Sequence, residues 1–153
     1  MAHRRRTALS RESGFTLIEV LVVILVIGIL AAIALPVFLS QRTSGYDAEA
    51  KSNARNLVSR VELCFAPEED FRKCQTEAGI GGDLGVPYGP GDGEVQVTAA
   101  TKETYTVTAR AEKPDENGVV HTFTITRSTD GMNERTCTAS NGNDNGGCNG
   151  GTW

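Results

Sequence analysis

The amino-acid sequence predicts an α+β fold: one long N-terminal helix, its first half hydrophobic and membrane-spanning, packed through its second half on a small antiparallel sheet of three to four strands. Three observations predict it. From Val20 to Leu39, twenty residues carry no charge and no strong polar group. After Ser40 the apolar residues fall at Tyr46, Ala50, Ala54, Leu57, Val58, Val61 and Phe65, a spacing that gives a helix one apolar stripe. Beyond residue 93, EVQVTAA (94–100), ETYTVTARA (103–111) and VVHTFTITR (119–127) alternate with the period-two pattern and β-branched content of strands.

In chain order, residues 1–14 form a basic leader in which Arg4, Arg5, Arg6 and Arg11 face a single acid, Glu12. Positive charge ahead of an apolar run keeps that end in the cytoplasm. The run itself, 15–39, is long enough as a helix to span about 30 Å of hydrocarbon. Three fates compete. A signal peptidase would cut after Ala34, where Ala32-Ile33-Ala34 satisfies the small-x-small rule and leaves a secreted domain. Without a cut the chain is a single-pass anchored protein. A cut between Gly14 and Phe15 would retain the helix.

Glu19 separates these fates. A carboxylate at the mouth of an apolar helix is unfavourable and needs a partner. A purely anchoring or discarded segment has no use for it. If the chain begins at Phe15, its new ammonium group lies near Glu19, and packed copies can pair the amine of one with Glu19 of the next. Such pairing in a low-dielectric setting would set the register between subunits.

Residues 40–153 are expected to form a soluble head: an amphipathic helix at 40–65, a connector at 66–92, the sheet at 94–138 and a Gly/Asn-rich loop at 139–153. Pro36 removes a helical hydrogen bond and marks a kink. Gly28 suits close helix packing, and Gly45 costs about 1 kcal/mol relative to Ala. Asp47, Glu49, Lys51, Arg55, Arg60 and Glu62 are assigned to the solvated face, and Pro67 is expected to end the helix. Glu68, Glu69 and Asp70 form a solvated acidic cluster in a Gly/Pro-dense connector. Val95, Val97 and Ala99 share one strand face, as do Tyr105, Val107 and Ala109, and Val119, His121, Phe123 and Ile125. Asn117-Gly118 and Asp130-Gly131 mark turns, the second leading to a short strand at 134–138. The tail SNGNDNGGCNGGTW has no packed element of its own, with Trp153 as a candidate anchor.

Charge and chemistry exclude several classes. From Phe15 onward 11 Lys and Arg face 18 Asp and Glu, an acidic body poor in aromatics and unsuited to nucleic acid. Four cysteines permit three connectivities; Cys64–Cys74 and Cys137–Cys148 each close a short loop and are the expected disulfides. Their spacing matches no zinc site. His121 is the lone histidine after the leader, so no Ser-His-Asp set can be assembled, and no nucleotide loop or zinc-hydrolase motif is present. The chain is expected not to be an enzyme.

The segment GFTLIEVLVVILVIGILAAIALPVF resembles the N-terminal signature of type IV prepilins and of the pseudopilins of type II secretion systems. The agreement rests on the basic leader ending in Gly14, on Phe15, on Glu19 at the fifth position after the cut and on Pro36 at the twenty-second. The resemblance implies the pilin fold, cleavage after Gly14 by a prepilin peptidase, N-methylation of Phe15 and assembly of copies into a helical filament. It further implies a single-pass precursor in the cytoplasmic membrane, handled by pilus assembly machinery and later exposed on the surface. The primary expectation is a type IV pilus subunit. A pseudopilin of a secretion or DNA-uptake system is the alternative, and a secreted or anchored binding module the more distant one. Pilins often carry a disulfide-closed region near the C-terminus, and some pseudopilins bind calcium there. Asn141, Asn143, Asp144 and Asn145 are the oxygens available. Only one is a carboxylate and the spacing matches no calcium loop, so no metal or cofactor is expected.

Overall fold

The computed structural model describes residues 14–143 and 146–153. It contains helix α1 (Leu17–Glu68), strands β1 (Val95–Ala100), β2 (Tyr105–Arg110), β3 (Thr122–Arg127) and β4 (Asn133–Thr138), and a one-turn helix α2 (Ser140–Asn143). The four strands form an antiparallel meander in the order β1-β2-β3-β4. Two compact units are distinguished, one ending at Val37 and the other running from Phe38 to Trp153.

In the first unit α1 is apolar on every side from Val20 onward, and its large side chains from Leu17 to Val37 stand exposed. In the second unit α1 has a single buried stripe. Ala50, Ala54, Leu57 and Val61 are buried there, with Val58 and Phe65 packed partly against them. They meet the inner face of the sheet, formed by Val95, Val97, Tyr105, Val107, Ala109, Phe123 and Ile125. One sheet and one helical stripe thus cover each other, the minimum arrangement for so small a sheet.

Three features depart from the sequence expectation. First, Pro67 does not end α1, which continues to Glu68. Proline forfeits only its own N–H, and the last turn closes without it. The Glu69 amide reaches back to the Phe65 carbonyl at 2.8 Å, with Glu69 in the left-handed region at φ 51°. Second, Ala99 does not share a face with Val95 and Val97. The register slips between Val97, opposite Val107, and Ala99, opposite Thr106. This bulge carries Thr98 as the extra residue, reverses the alternation and leaves Ala99 exposed. Third, Asp47 is not on the solvated face. It is fully buried, as is His121, which precedes β3 and does not belong to it.

Two disulfides join Cys64 to Cys74 and Cys137 to Cys148. The first ties the end of α1 to a 3-10 turn at Phe71–Cys74, where Phe71 stacks on Phe65 at 4.1 Å between ring centroids. The acidic cluster beside it is paired within the connector: Asp70 caps the turn and binds Arg72, and Glu68 binds Lys73. The second disulfide closes the tail back onto β4. Trp153 donates its indole N–H to the Thr136 carbonyl at 2.9 Å and meets Phe123 edge-on.

Leu57 fills the centre of this core, whereas Leu63 lies exposed on the same helix. Leu57→Ala is expected to destabilise the head by about 2–5 kcal/mol and Leu63→Ala by less than about 0.5 kcal/mol. Denaturant unfolding of the detergent-solubilised chain, followed by Trp153 fluorescence, measures both.

Candidate functional site

The N-terminal segment is built around a helix cap. Thr16 precedes α1, and its hydroxyl accepts the Glu19 amide at 3.2 Å. Thr16-Leu17-Ile18-Glu19 has the spacing of a capping box, with the acid at the third helical position, near the positive end of the helix dipole. Glu19 therefore has a local reason for its place besides any partner in another copy. The sequence reading passed over Thr16, although T-x-x-E before an apolar run is its signal. Ahead of the cap, the backbone at Gly14 is open: a Cβ there would meet nothing within 4 Å. Phe15 beside it is 80% exposed.

Further along, Leu21, Ile24, Leu25, Gly28, Ile29 and Ala32 line one shallow groove on α1. The missing side chain at Gly28 makes its floor. Pro36 lies within α1, whose helical hydrogen-bonded run continues across it. Arg4, Arg5, Arg6 and Arg11 lie outside the described residues.

The head carries a second constellation, which the sequence reading did not assemble. Asp47 on α1, Asp115 in the β2–β3 loop, His121 at its end and Ser140 at the start of α2 converge in a buried cluster. His121 Nδ1 lies 2.8 Å from Asp47 Oδ2, and Nε2 lies 3.3 Å from Asp115 Oδ2. Ser140 donates its hydroxyl to the same Asp115 oxygen. The other Asp115 oxygen accepts the amides of Asn117 at 2.9 Å and Val119 at 3.0 Å, which shapes the loop. Burial opposes the Asp115 charge, but the bonds from Ser140, Val119, His121 and Asn117 outweigh it and hold its carboxyl well below the usual range. Asp47 shifts the other way. Burial raises its pKa, and the bond to His121 offsets this only in part. A signal for Asp47 existed in the spacing, since it lies three residues before Ala50 and seven before Ala54 and so shares their stripe.

The order of contacts decides what this cluster can do. Asp115 stands between Ser140 and His121, so the imidazole does not touch the hydroxyl and cannot take its proton as a triad requires. The cluster joins α1, the β2–β3 loop and the start of α2. A separate polar knot links Glu62 on α1 to Tyr105 and Arg127, each at 2.8 Å. Burial and the bond donated to Glu62 push the Tyr105 hydroxyl well above its ordinary range. Of the calcium candidates, Asp144, Asn145 and the side chains of Asn141 and Asn143 lie outside the described residues. Among the described residues no group of three His, Cys, Asp or Glu side chains is arranged to hold a metal.

A capped helix with an exposed apolar surface, continued into a disulfide-stapled α+β head, defines a class of membrane-anchored subunit. Residues 9–35 match the prokaryotic N-terminal methylation motif. The chain is 37% identical over 79 residues to the type IV major pilin protein PilA of Myxococcus xanthus, covering 52% of this chain and 36% of that one. It is 30% identical over 122 residues to a type IV major fimbrial protein FimA of Dichelobacter nodosus, covering 74% and 72%. A fimbrial protein of Pseudomonas aeruginosa is 28% identical over 127 residues, covering 79% and 82%. The chain belongs to the type IV pilin family, and its long helix on a four-stranded antiparallel sheet is a pilin-like fold.

Because the folded-state value of Asp115 is depressed, its contribution is present above the unfolded value of about 3.9 and is lost as pH falls below it. Asp47, shifted upward, works in the opposite sense. Asp115→Asn is expected to cost about 1–3 kcal/mol at pH 7. The gap from wild type should narrow as pH falls from about 4 to about 2, as read from thermal unfolding midpoints; parallel curves would exclude Asp115 as the titrating group.

Proposed function

We propose that this chain is the precursor of a structural subunit of a type IV pilus. It is held in the cytoplasmic membrane by residues 15–39 with its N-terminus in the cytoplasm, cut after Gly14 and methylated on Phe15. It then polymerises with copies of itself through the apolar helix and is displayed on the cell surface. The observation that carries this reading is the exposed apolar surface of α1. A surface that large needs lipid before assembly and neighbouring helices after it. The open backbone at Gly14 and the methylation motif over residues 9–35 support a peptidase and methyltransferase as partners. The inner-membrane assembly machinery is a partner on the same reading. The relatives' names favour a pilus over a pseudopilus.

Within that function Glu19 neutralises the terminal amine of a neighbouring subunit and so selects the axial offset. Pro36, which lacks the N–H that would close its turn, is the place where the helix yields during packing.

N-terminal sequencing with intact mass of the filament protein is expected to give a chain starting at N-methyl-Phe15. A start at Leu35 would identify a secreted module, and an uncut chain an anchored one. Glu19→Gln separates the two roles of that residue, because Gln still serves a capping box but carries no charge. Expressed beside wild type, Glu19→Gln and Glu19→Ala are both expected to be excluded from sheared filaments. Normal incorporation of Glu19→Gln with loss of Glu19→Ala would assign Glu19 to the cap alone.

A further inference from the structure

Between Glu19 and Arg42 the sequence holds no charged residue, so Arg42 is the first cation after the apolar run. It lies three residues past Leu39, about 4.5 Å further along the helix axis. A bilayer about 40–45 Å thick around a hydrocarbon core of about 30 Å leaves about 5–7 Å of headgroup layer on each side. With residues 15–39 in the membrane, Arg42 falls at the depth of the phosphates in the leaflet that faces the head. This placement rests on the membrane-held precursor proposed above.

Arg42 is exposed, and Tyr46, one turn on, is half-buried. Helical side chains lean toward the N-terminus, so the Tyr46 ring reaches back over the turn that carries Arg42. Their polar ends meet: Arg42 Nη2 lies 3.5 Å from the Tyr46 hydroxyl oxygen. A contact of that length is at the limit of a hydrogen bond and engages one of the five guanidinium N–H donors. The hydroxyl accepts there and keeps its own proton to donate. No carboxylate among the described residues lies within ion-pair distance of Arg42. The adjoining acid, Asp47, is buried against His121. Gly45 leaves the helix surface between the two side chains open, since a Cβ there would meet nothing within 4 Å.

We propose that Arg42 and Tyr46 form a clasp for the phosphate of a phospholipid headgroup, and that this clasp fixes the depth at which the precursor rides in the membrane. A phosphodiester presents two unesterified oxygens and one negative charge. The planar guanidinium fork matches that pair of oxygens, and the phenol O–H supplies a further donor. Both residue types suit this depth. Arginine extends its head toward water while its stem stays along apolar surface, and tyrosine sits where an apolar ring and a wet hydroxyl are both satisfied. Glu19 marks one end of the uncharged run and the clasp marks the other, so the span cannot slide far in either direction without dragging a charge into hydrocarbon.

The full chain in a neutral detergent is titrated with phosphatidylglycerol and, separately, with diacylglycerol of the same tails, and bound lipids are counted by native mass spectrometry. Wild type is expected to hold one phospholipid more than Arg42→Gln, whose affinity for that lipid falls about tenfold or more. Tyr46→Phe is expected to lose several-fold, and Arg42→Lys, which keeps the charge without the fork, to fall between wild type and Arg42→Gln. Arg60→Gln, an exposed arginine further along α1, is expected to match wild type. The leader arginines are common to every variant and cancel. Equal phospholipid occupancy in wild type and Arg42→Gln, an equal loss in Arg60→Gln, an equal loss of diacylglycerol, or displacement of the lipid by millimolar inorganic phosphate would each overturn the proposal. Flotation with phosphatidylcholine vesicles tests the membrane reading separately: a chain that floats but shows no Arg42 effect sinks the clasp alone, and one that does not float sinks both.

Discussion

The apolar surface of α1 from Val20 to Phe38 is the constraint to which the rest of the chain answers. Burying a large aliphatic side chain is favourable by about 1.5–3 kcal/mol, so a run of this length left in water is unfavourable by tens of kcal/mol. Lipid removes that penalty, and a bundle of like helices removes it equally well. Moving from one to the other is close to neutral in hydrophobic terms, because lipid tails are as apolar as leucine. Specific assembly must then come from something other than greasiness. The polar features at this end are few: Thr16, Glu19 and, after a cut at Gly14, a terminal amine. Small residues such as Gly28 add close approach. This is why the proposed function places selectivity at the single acid at the mouth of the run, Glu19.

The head solves a different problem with little apolar material. Its core is one helical stripe against one sheet face, and the remaining closure is polar or covalent. Disulfides shorten two loops. The Asp47–His121–Asp115–Ser140 cluster occupies the end of the core where aliphatic residues run out, and Gly146 lets the tail seat against it. Buried networks of this kind stabilise only when nearly all members are partnered. Ser140, Gly146, Gly147 and Trp153 of the tail are therefore part of the fold.

Much of this was legible beforehand because two periods are hard to mistake. The all-apolar run, the stripe from Ala50 to Phe65 and the alternation in β2 each follow from local spacing, and the helix and the meander were placed to within a few residues. What escaped has two kinds of cause. Pro67 continues the helix because a left-handed residue at Glu69 closes the turn. Ala99 is exposed because Thr98 bulges, which depends on the β2 register. Asp47 was set on the solvated face by its chemistry although its spacing put it on the stripe, and only the arrival of His121, 74 residues later, makes its burial tolerable. The β2 register decides the Ala99 case and His121 the Asp47 case, both from far along the chain, whereas the Pro67 case is decided locally by the turn that Glu69 closes. The capping box at Thr16 differs: its signal, T-x-x-E ahead of an apolar run, is entirely local.

Division of labour between the two units follows from where burial begins. Asp47 is the first buried residue of the described chain, and every core side chain lies after it. The core of the head therefore draws nothing from the apolar half of α1 or from Gly14 and Phe15. On the proposed reading, a subunit that folds once and is used in two environments needs a head with a core of its own, and the helical stripe from Ala50 to Val61 against the sheet supplies one.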